Sequence, residues 1–248
     1  MTAVTLSNIT AGYGKSAFLH DISLTAPAAS ITTVIGPNGS GKSTLLKVVA
    51  GTARCTSGSL LVAGADLTTV SERARVLDHR IAYVPQLSNV FAPMTILENL
   101  EIGGITLPRR TRRRRMTEIL GMYPDLARRP HARADSLSGG QRQLLAMARA
   151  LMPEPAVLLL DELSAGLSPR LLDELFESVR DLCHDTAVTV LLVEQNAHAA
   201  LRISDRGVVL VAGQIARAGA ACEIADDPTI GDLYLGTGPA PEAGQLIS

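Results

Sequence analysis

Residues 31–51 leave the chain few choices of fold. Ile31-Thr32-Thr33-Val34-Ile35 is rich in β-branched residues and reads as a buried strand. Leu45-Leu46-Lys47-Val48-Val49-Ala50 carries helix formers and stops at Gly51, a residue suited to a helix C-terminus. Between them lies Gly36-Pro37-Asn38-Gly39-Ser40-Gly41-Lys42-Ser43, which fits the pattern G-x-x-x-x-G-K-[ST]. Strand, glycine loop and helix in that order predict a parallel α/β layer with an anion cradle at its edge. Glycines at 36, 39 and 41 let backbone N–H groups converge without a Cβ in the way, at the positive end of a helix dipole. Lys42 is placed to reach β- and γ-phosphates, the Ser43 hydroxyl to ligate Mg²⁺, and Thr44 to complete the cradle. The ligand expected here is a nucleoside triphosphate with magnesium.

A second run, Val157-Leu158-Leu159-Leu160, is too short for a helix and too apolar for an exposed strand. It reads as an inner strand of a parallel sheet. Acidic residues at the carboxyl end of such a strand sit where open α/β sheets bind ligands. Asp161 is therefore expected to hold Mg²⁺, and Glu162, one residue further out, to orient or deprotonate the attacking water.

Elsewhere the pattern divides into three parts. Val4–Ile9 and Asp21–Ala26 alternate as short strands among Gly, Pro and Ser turns, predicting an antiparallel sheet beside the cradle. Residues 57–63, 80–84, 188–193 and 207–211 read as further strands, with a helix from about Ser71. Between about residues 88 and 153 the signals are helical. Thr95-Ile96-Leu97-Glu98 is a capping box, a helix follows over about Arg109–Met122, and another runs from Gly139 to a stop at Pro153. The segment Leu137-Ser138-Gly139-Gly140-Gln141 opens that last helix, so its N–H groups and the Ser138 hydroxyl present positive dipole to a phosphate. The expected organisation is one domain over residues 3–236, with the helical segment inserted in it, and a disordered Gly-, Pro- and Ala-rich tail over 237–248.

Composition narrows the class. With 248 residues and 46% hydrophobic content the chain can bury a large core. No apolar run approaches the roughly 18 residues needed to cross a bilayer, and the N-terminus lacks the features of a secretory signal. Cys55, Cys183 and Cys222 show no metal spacing and read as reduced thiols of the cytosol. A net charge of −1 gives no drive toward nucleic acid. Arg109, Arg110 and Arg112–Arg115 form a basic cluster without interleaved aromatics, which reads as a solvated or lipid-headgroup-facing helix face and not as a base-stacking surface.

With these segments in view, the chain resembles the nucleotide-binding subunits of ATP-binding cassette (ABC) transporters, whose signature is LSGGQ. The resemblance extends from about Val4 to Leu235. It implies an α/β fold with a P-loop NTPase core (a mostly parallel sheet with helices), an N-terminal antiparallel β subdomain and an inserted helical subdomain. It implies that Tyr13 stacks on adenine, that Gln86 senses Mg²⁺ and contacts a membrane partner, and that Ser138, Gly139, Gly140 and Gln141 face the ATP of a second cassette. It further implies that Ser164-Ala165-Gly166-Leu167 communicates across the dimer. Ser168-Pro169 suits a helix start. Val193-Glu194-Gln195-Asn196-Ala197 and the ending Leu233-Tyr234-Leu235-Gly236 are similar to the subfamily serving branched-chain amino acid uptake. There Gln195 stands where most cassettes have histidine; its amide still donates to a γ-phosphate oxygen and does not titrate near neutral pH. The implied partners are a second ATPase subunit, transmembrane permease subunits and, indirectly, an extracytoplasmic solute-binding protein, with no nucleic acid. The implied location is the cytoplasmic face of the cell membrane. Urea, amides or other amino acids as cargo, or a soluble ABC ATPase of DNA repair or translation, are the alternatives.

Overall fold

The computed structural model describes residues 2–13, 16–87, 89–164 and 166–231. The Ala165 position, the Leu233–Gly236 ending and the 237–248 tail lie outside the described residues. The chain opens with β1 (Thr2–Tyr13) and β2 (Ser16–Pro27), then β3 (Ile31–Ile35), α1 (Lys42–Ala50), β4 (Arg54–Val62), β5 (Ala65–Asp66), α2 (Glu72–Leu77) and β6 (Ile81–Val84). Helices α3 (Ile96–Gly103), α4 (Arg109–Met122), α5 (Pro124–Ala127) and α6 (Gly139–Leu151) follow, with a 3₁₀ turn at Ala134–Ser136. The remainder is β7 (Val157–Asp161), α7 (Pro169–Thr186), β8 (Thr189–Val193), α8 (Ala197–Arg202), β9 (Arg206–Val211), β10 (Gln214–Ala220) and α9 (Ala221–Ala225).

Two sheets result. One is antiparallel, in the order β2-β1-β4-β5. The other runs β10-β9-β3-β8-β7-β6; all its neighbours pair parallel except the β9–β10 hairpin at one edge. The continuous apolar strands follow from burial on both faces. In β7, Leu158 and Leu160 join one core with Phe176 of α7 and Leu145 of α6. Val157 and Leu159 join another with Leu45 and Val49 of α1 and with Leu6 and Leu60 of the antiparallel sheet. β8 divides the same way, Val190 and Leu192 against Leu191 and Val193.

Local chemistry sets the ends of the helices. Gly51 closes α1 in the left-handed region at φ 88°, and the Thr95–Glu98 capping box opens α3. Helix α4 has no acidic residue in its first turn and no side-chain cap. Its arginines are partly tethered: Arg112 pairs with Glu101 at 3.4 Å, and Arg115 reaches Glu118 at 2.7 Å and the Leu151 carbonyl at 2.9 Å. Ser168 occupies the N-cap of α7 with Pro169 first in the helix, yet its side chain makes no cap bond. Among the described residues no helix is long and apolar enough to cross a membrane.

Parallel register brings four strand ends to one edge. Val34 of β3 pairs with Val193 of β8, Asp161 of β7 with the same Val193, and Val84 of β6 with Leu160 of β7. The loops that leave β3, β6, β7 and β8 therefore start level with one another. That edge is where an open α/β sheet takes its ligand.

Candidate functional site

The glycine loop leaves β3 and turns into α1 under tight steric limits. A Cβ on Gly36 (φ 154°) would lie 2.0 Å from the Leu210 carbonyl oxygen, and one on Gly41 (φ 101°) would lie 2.7 Å from Leu19 Cδ2. Only glycine fits both places. The loop is also held from outside, because the Gly213 N–H donates to the Ser40 carbonyl at 2.9 Å. Pro37 is half-buried, Asn38 and Gly39 are exposed at the tip, and Ser40 and Thr44 are buried. The Ser40 hydroxyl is buried without a partner, one of few such atoms among the described residues. An orphaned donor in a cradle with no room for side chains fits a loop shaped for phosphate oxygens.

Lys42 is buried, and its ammonium donates to the carbonyls of Gly36 at 2.9 Å and Pro37 at 3.1 Å. It also stands 3.9 Å from Glu162 Oε1. Burial lowers its pKa, while the carboxylates of Glu162, Asp161 and Glu194 pull it back up. A cation so surrounded is fixed in place before any phosphate arrives.

Asp161, only 3% exposed, receives a hydrogen bond on each oxygen. Ser43 Oγ donates to Oδ1 at 2.8 Å, and the Tyr83 hydroxyl donates to Oδ2 at 2.8 Å. Tyr83, on β6, is a site residue that sequence reasoning missed; 78 positions separate the pair, and only the β6–β7 pairing brings them together. Burial and the adjacent Asp161 push the Tyr83 phenol far above its ordinary value, so it stays a donor at any physiological pH.

Glu162 adopts φ 48°, unusual for a residue with a side chain, and its N–H donates to the Val193 carbonyl at 2.8 Å. That conformation costs about 1 kcal/mol or more and turns the carboxylate out of the strand line toward Lys42. Gln86 Nε2 donates to Glu162 Oε2 at 2.7 Å. One bonded constellation thus gathers Lys42, Ser43, Gln86, Asp161 and Glu162 from the ends of β6 and β7 and from the glycine loop. The oxygens of Ser43, Asp161 and Gln86 are the donors a hard divalent cation takes. Among the described residues no group of three His, Cys, Asp or Glu forms a separate metal cage.

Two expected site residues stand at the rim. Gln195 follows β8 and is exposed. Tyr13 ends β1 with 45% of its surface exposed, its ring edge-on to Phe18 at 5.9 Å and facing Lys47 of α1 at 6.0 Å. Phe18 in turn lies against the glycine loop, its carbonyl 2.9 Å from where a Gly41 Cβ would sit.

The LSGGQ segment belongs to a different layer. Ser138 caps α6 in a reciprocal box with Gln141, and Arg129 reaches the Gln141 side chain at 3.3 Å. Ser138 and Gly139 are exposed and Gly140 is buried. A Cβ on Gly140 would meet Leu171 at 3.2 Å, and one on Gly139 would meet Leu167 at 3.9 Å. The segment offers an outward-facing helix start.

Glu194 is the second site residue the sequence hid. It is fully buried at the end of β8, where Oε1 accepts the Ser164 N–H at 3.0 Å and Oε2 accepts the Ser164 hydroxyl at 2.5 Å and the Gln195 N–H at 3.2 Å. Burial raises its pKa; the Ser164 and Gln195 bonds oppose the rise, and the Glu162 charge adds to it. A glutamate closing an apolar strand gives no hint in sequence that three donors surround it.

A glycine-loop lysine, a strand-end Asp–Glu pair and a glutamine reaching the second carboxylate define a phosphate-loop nucleotide hydrolase. Residues 19–165 match the family model described as ABC transporter. The chain belongs to that family, as its ATP-binding domain, and is an ATPase. It is 40% identical over 224 residues to the high-affinity branched-chain amino acid transport ATP-binding protein BraG of Pseudomonas aeruginosa, covering 90% of this chain and 95% of that one. It is 41% identical over 228 residues to the probable branched-chain amino acid transport ATP-binding protein LivF of Archaeoglobus fulgidus, covering 92% and 96%. Among solved structures it is similar to the ADP conformation of MJ1267, an ATP-binding cassette of an ABC transporter, with TM-score 0.86 and 28% identity over 95% of this chain and 99% of that one. It is also similar to the dimeric post-hydrolysis state of the cassette MJ0796 bound to ADP and Pi, with TM-score 0.78 and 27% identity over 88% and 98%.

Proposed function

We propose that this chain is the ATP-hydrolysing subunit of an importer for branched-chain amino acids, working at the cytoplasmic face of the membrane beside transmembrane permeases that a solute-binding protein feeds. The observation that carries the catalytic part is the bonded set Lys42–Glu162–Gln86 with Ser43–Asp161 at one sheet edge. The cargo class is supported by the names of BraG and LivF, each matched over more than nine-tenths of its length.

In this reading residues 3–236 act as one cassette, with 88–153 as its helical subdomain, and ATP lies between the Gly36–Thr44 cradle of one copy and Ser138–Gln141 of another. The dimeric MJ0796 cassette supports that pairing, as does the exposure of Ser138 and Gly139. Tyr13 stacks on adenine at the rim. Lys42 gives up its loop carbonyls for the β- and γ-phosphates, and Gln195 donates its amide to the γ-phosphate. Mg²⁺, held by Ser43, Asp161 and Gln86, neutralises charge on the phosphate oxygens when bound. Glu162 orients the attacking water and takes its proton; released from the carboxylate, Gln86 reports the state of the site to the permease. Support for that last role lies just past it, where Leu87 and Phe91 are exposed apolar side chains and a groove is lined by Met94, Glu98, Glu101, Ile102, Ile105 and Arg112.

Glu162→Gln tests the assignment. The variant is expected to bind ATP, to lose roughly 100-fold or more in turnover, and to accumulate as an ATP-bound dimer. Near-parental turnover would remove Glu162 from the base role.

A further inference from the structure

Glu194 does more than end a strand. Its carboxylate is fully buried, yet all three of its hydrogen bonds go to two segments whose roles are otherwise separate. Two come from Ser164, two residues past Glu162, and one comes from the backbone of Gln195. The Glu194 N–H donates to the Val34 carbonyl at 3.2 Å, which ties the same residue to the strand that launches the glycine loop. Beyond Ser164 the contact continues. The Leu167 N–H donates to the Ser164 carbonyl at 3.2 Å, and the Leu167 side chain lies close to Gly139 and Gly140 of the LSGGQ segment, where a Cβ on Gly139 would meet it at 3.9 Å and one on Gly140 at 3.7 Å.

A buried carboxylate is costly to desolvate and is retained only where its donors are in place. An apolar residue in β8 would pack without that cost, as Leu191, Leu192 and Val193 do. What the carboxylate adds is a fixed distance between two loops. We propose that Glu194 is a positioning residue for hydrolysis: it clamps the turn between Ser164 and Leu167 to the strand end that carries Gln195, so that the γ-phosphate contact and the floor under the LSGGQ segment are set together. The inference rests on the reading of Gln195 as a γ-phosphate ligand.

Steady-state hydrolysis by the full chain, with kcat and KM for ATP resolved separately, tests it in Glu194→Ala, Glu194→Gln, Ser164→Ala, the Glu194→Ala/Ser164→Ala double variant and Gln195→Ala. Glu194→Ala is expected to lower kcat about 10-fold with KM within about twofold, because the cradle itself is untouched. Glu194→Gln keeps an acceptor for the Ser164 N–H and a donor for its hydroxyl but gives up the acceptor for the Gln195 N–H, so kcat should fall about threefold, between parental and Glu194→Ala. The double variant should be no slower than Glu194→Ala alone, within about twofold, since both changes cut one linkage. Should Glu194→Ala fail to fold, Ser164→Ala decides: a several-fold loss in kcat at unchanged KM supports the clamp, and parental kcat overturns it. Multiplicative losses in the double variant, or an equal loss in Glu194→Gln and Glu194→Ala, also overturn it. Gln195→Ala separates the two levels. If it turns over like the parent, the γ-phosphate reading fails and the clamp with it; if it is impaired while the Ser164 and Glu194 losses multiply, the clamp alone fails.

Discussion

Replacing Tyr83 by phenylalanine removes one oxygen and leaves the packing of the ring intact. The hydroxyl donates to Asp161 Oδ2 at 2.8 Å, in a place where Asp161 is 3% exposed. A hydrogen bond to an ionised acceptor contributes about 1.5–3 kcal/mol, which corresponds to about 10- to 150-fold in an equilibrium that depends on it. Two such equilibria are accessible. Unfolding of the nucleotide-free protein in urea should lose about 1–2 kcal/mol, the part left after Asp161 keeps its Ser43 bond. The magnesium concentration for half-maximal hydrolysis should rise about 10- to 100-fold, the usual cost of losing an outer partner that orients a metal-binding carboxylate. At saturating magnesium kcat should change little, since the Tyr83 hydroxyl is bonded to Asp161 and not to Glu162 or Lys42. The phenol is held far above its ordinary pKa, so the parent's advantage should stay constant across physiological pH. An unchanged magnesium midpoint in a variant of normal fold would show that Tyr83 does not orient Asp161.

Other outcomes follow from the same geometry. Gly36→Ala places a methyl 2.0 Å from the Leu210 carbonyl, so the loop must shift; nucleotide affinity by calorimetry should fall by about 100-fold or more, and parental affinity would contradict the steric account. Burial, with the Asp205 charge beside it, pushes the Cys183 thiol up to about 11, whereas Cys222 is exposed. At pH 8, mass spectrometry after alkylation should therefore find Cys222 modified and Cys183 untouched until urea unfolds the chain. Labelling of both at equal rates in the native protein would place Cys183 at the surface.

The parts legible in the sequence were those governed by local rules. The span of α4, the Thr95–Glu98 box and the Ser71 start of α2 depend on neighbours three or four residues away, and the structure has each of them. The strands β1 and β2 run longer than alternation indicated, Thr2–Tyr13 and Ser16–Pro27, because bulges break their period without breaking the pairing. Strand β10 went unread since Gln214–Ala220 is mostly Ala and Gly, which have little strand propensity; it forms by pairing along β9 at the sheet edge. In the site, the cradle and the Asp161–Glu162 pair could be read because their chemistry requires contiguous residues. Tyr83 and Glu194 could not, since each acquires its partners only when distant strands pair. Leu163 is fully buried in the core shared with Phe176, so packing holds the backbone after Glu162.

Calorimetric titration of the purified chain with ATP and magnesium, run beside Lys42→Ala, goes straight to whether the cradle holds a triphosphate. Saturable binding in the parent, weakened about 100-fold or more by loss of the one ammonium in the loop, is the expected result. No binding by the parent, or equal binding by both proteins, would mean that residues 36–44 grip something else.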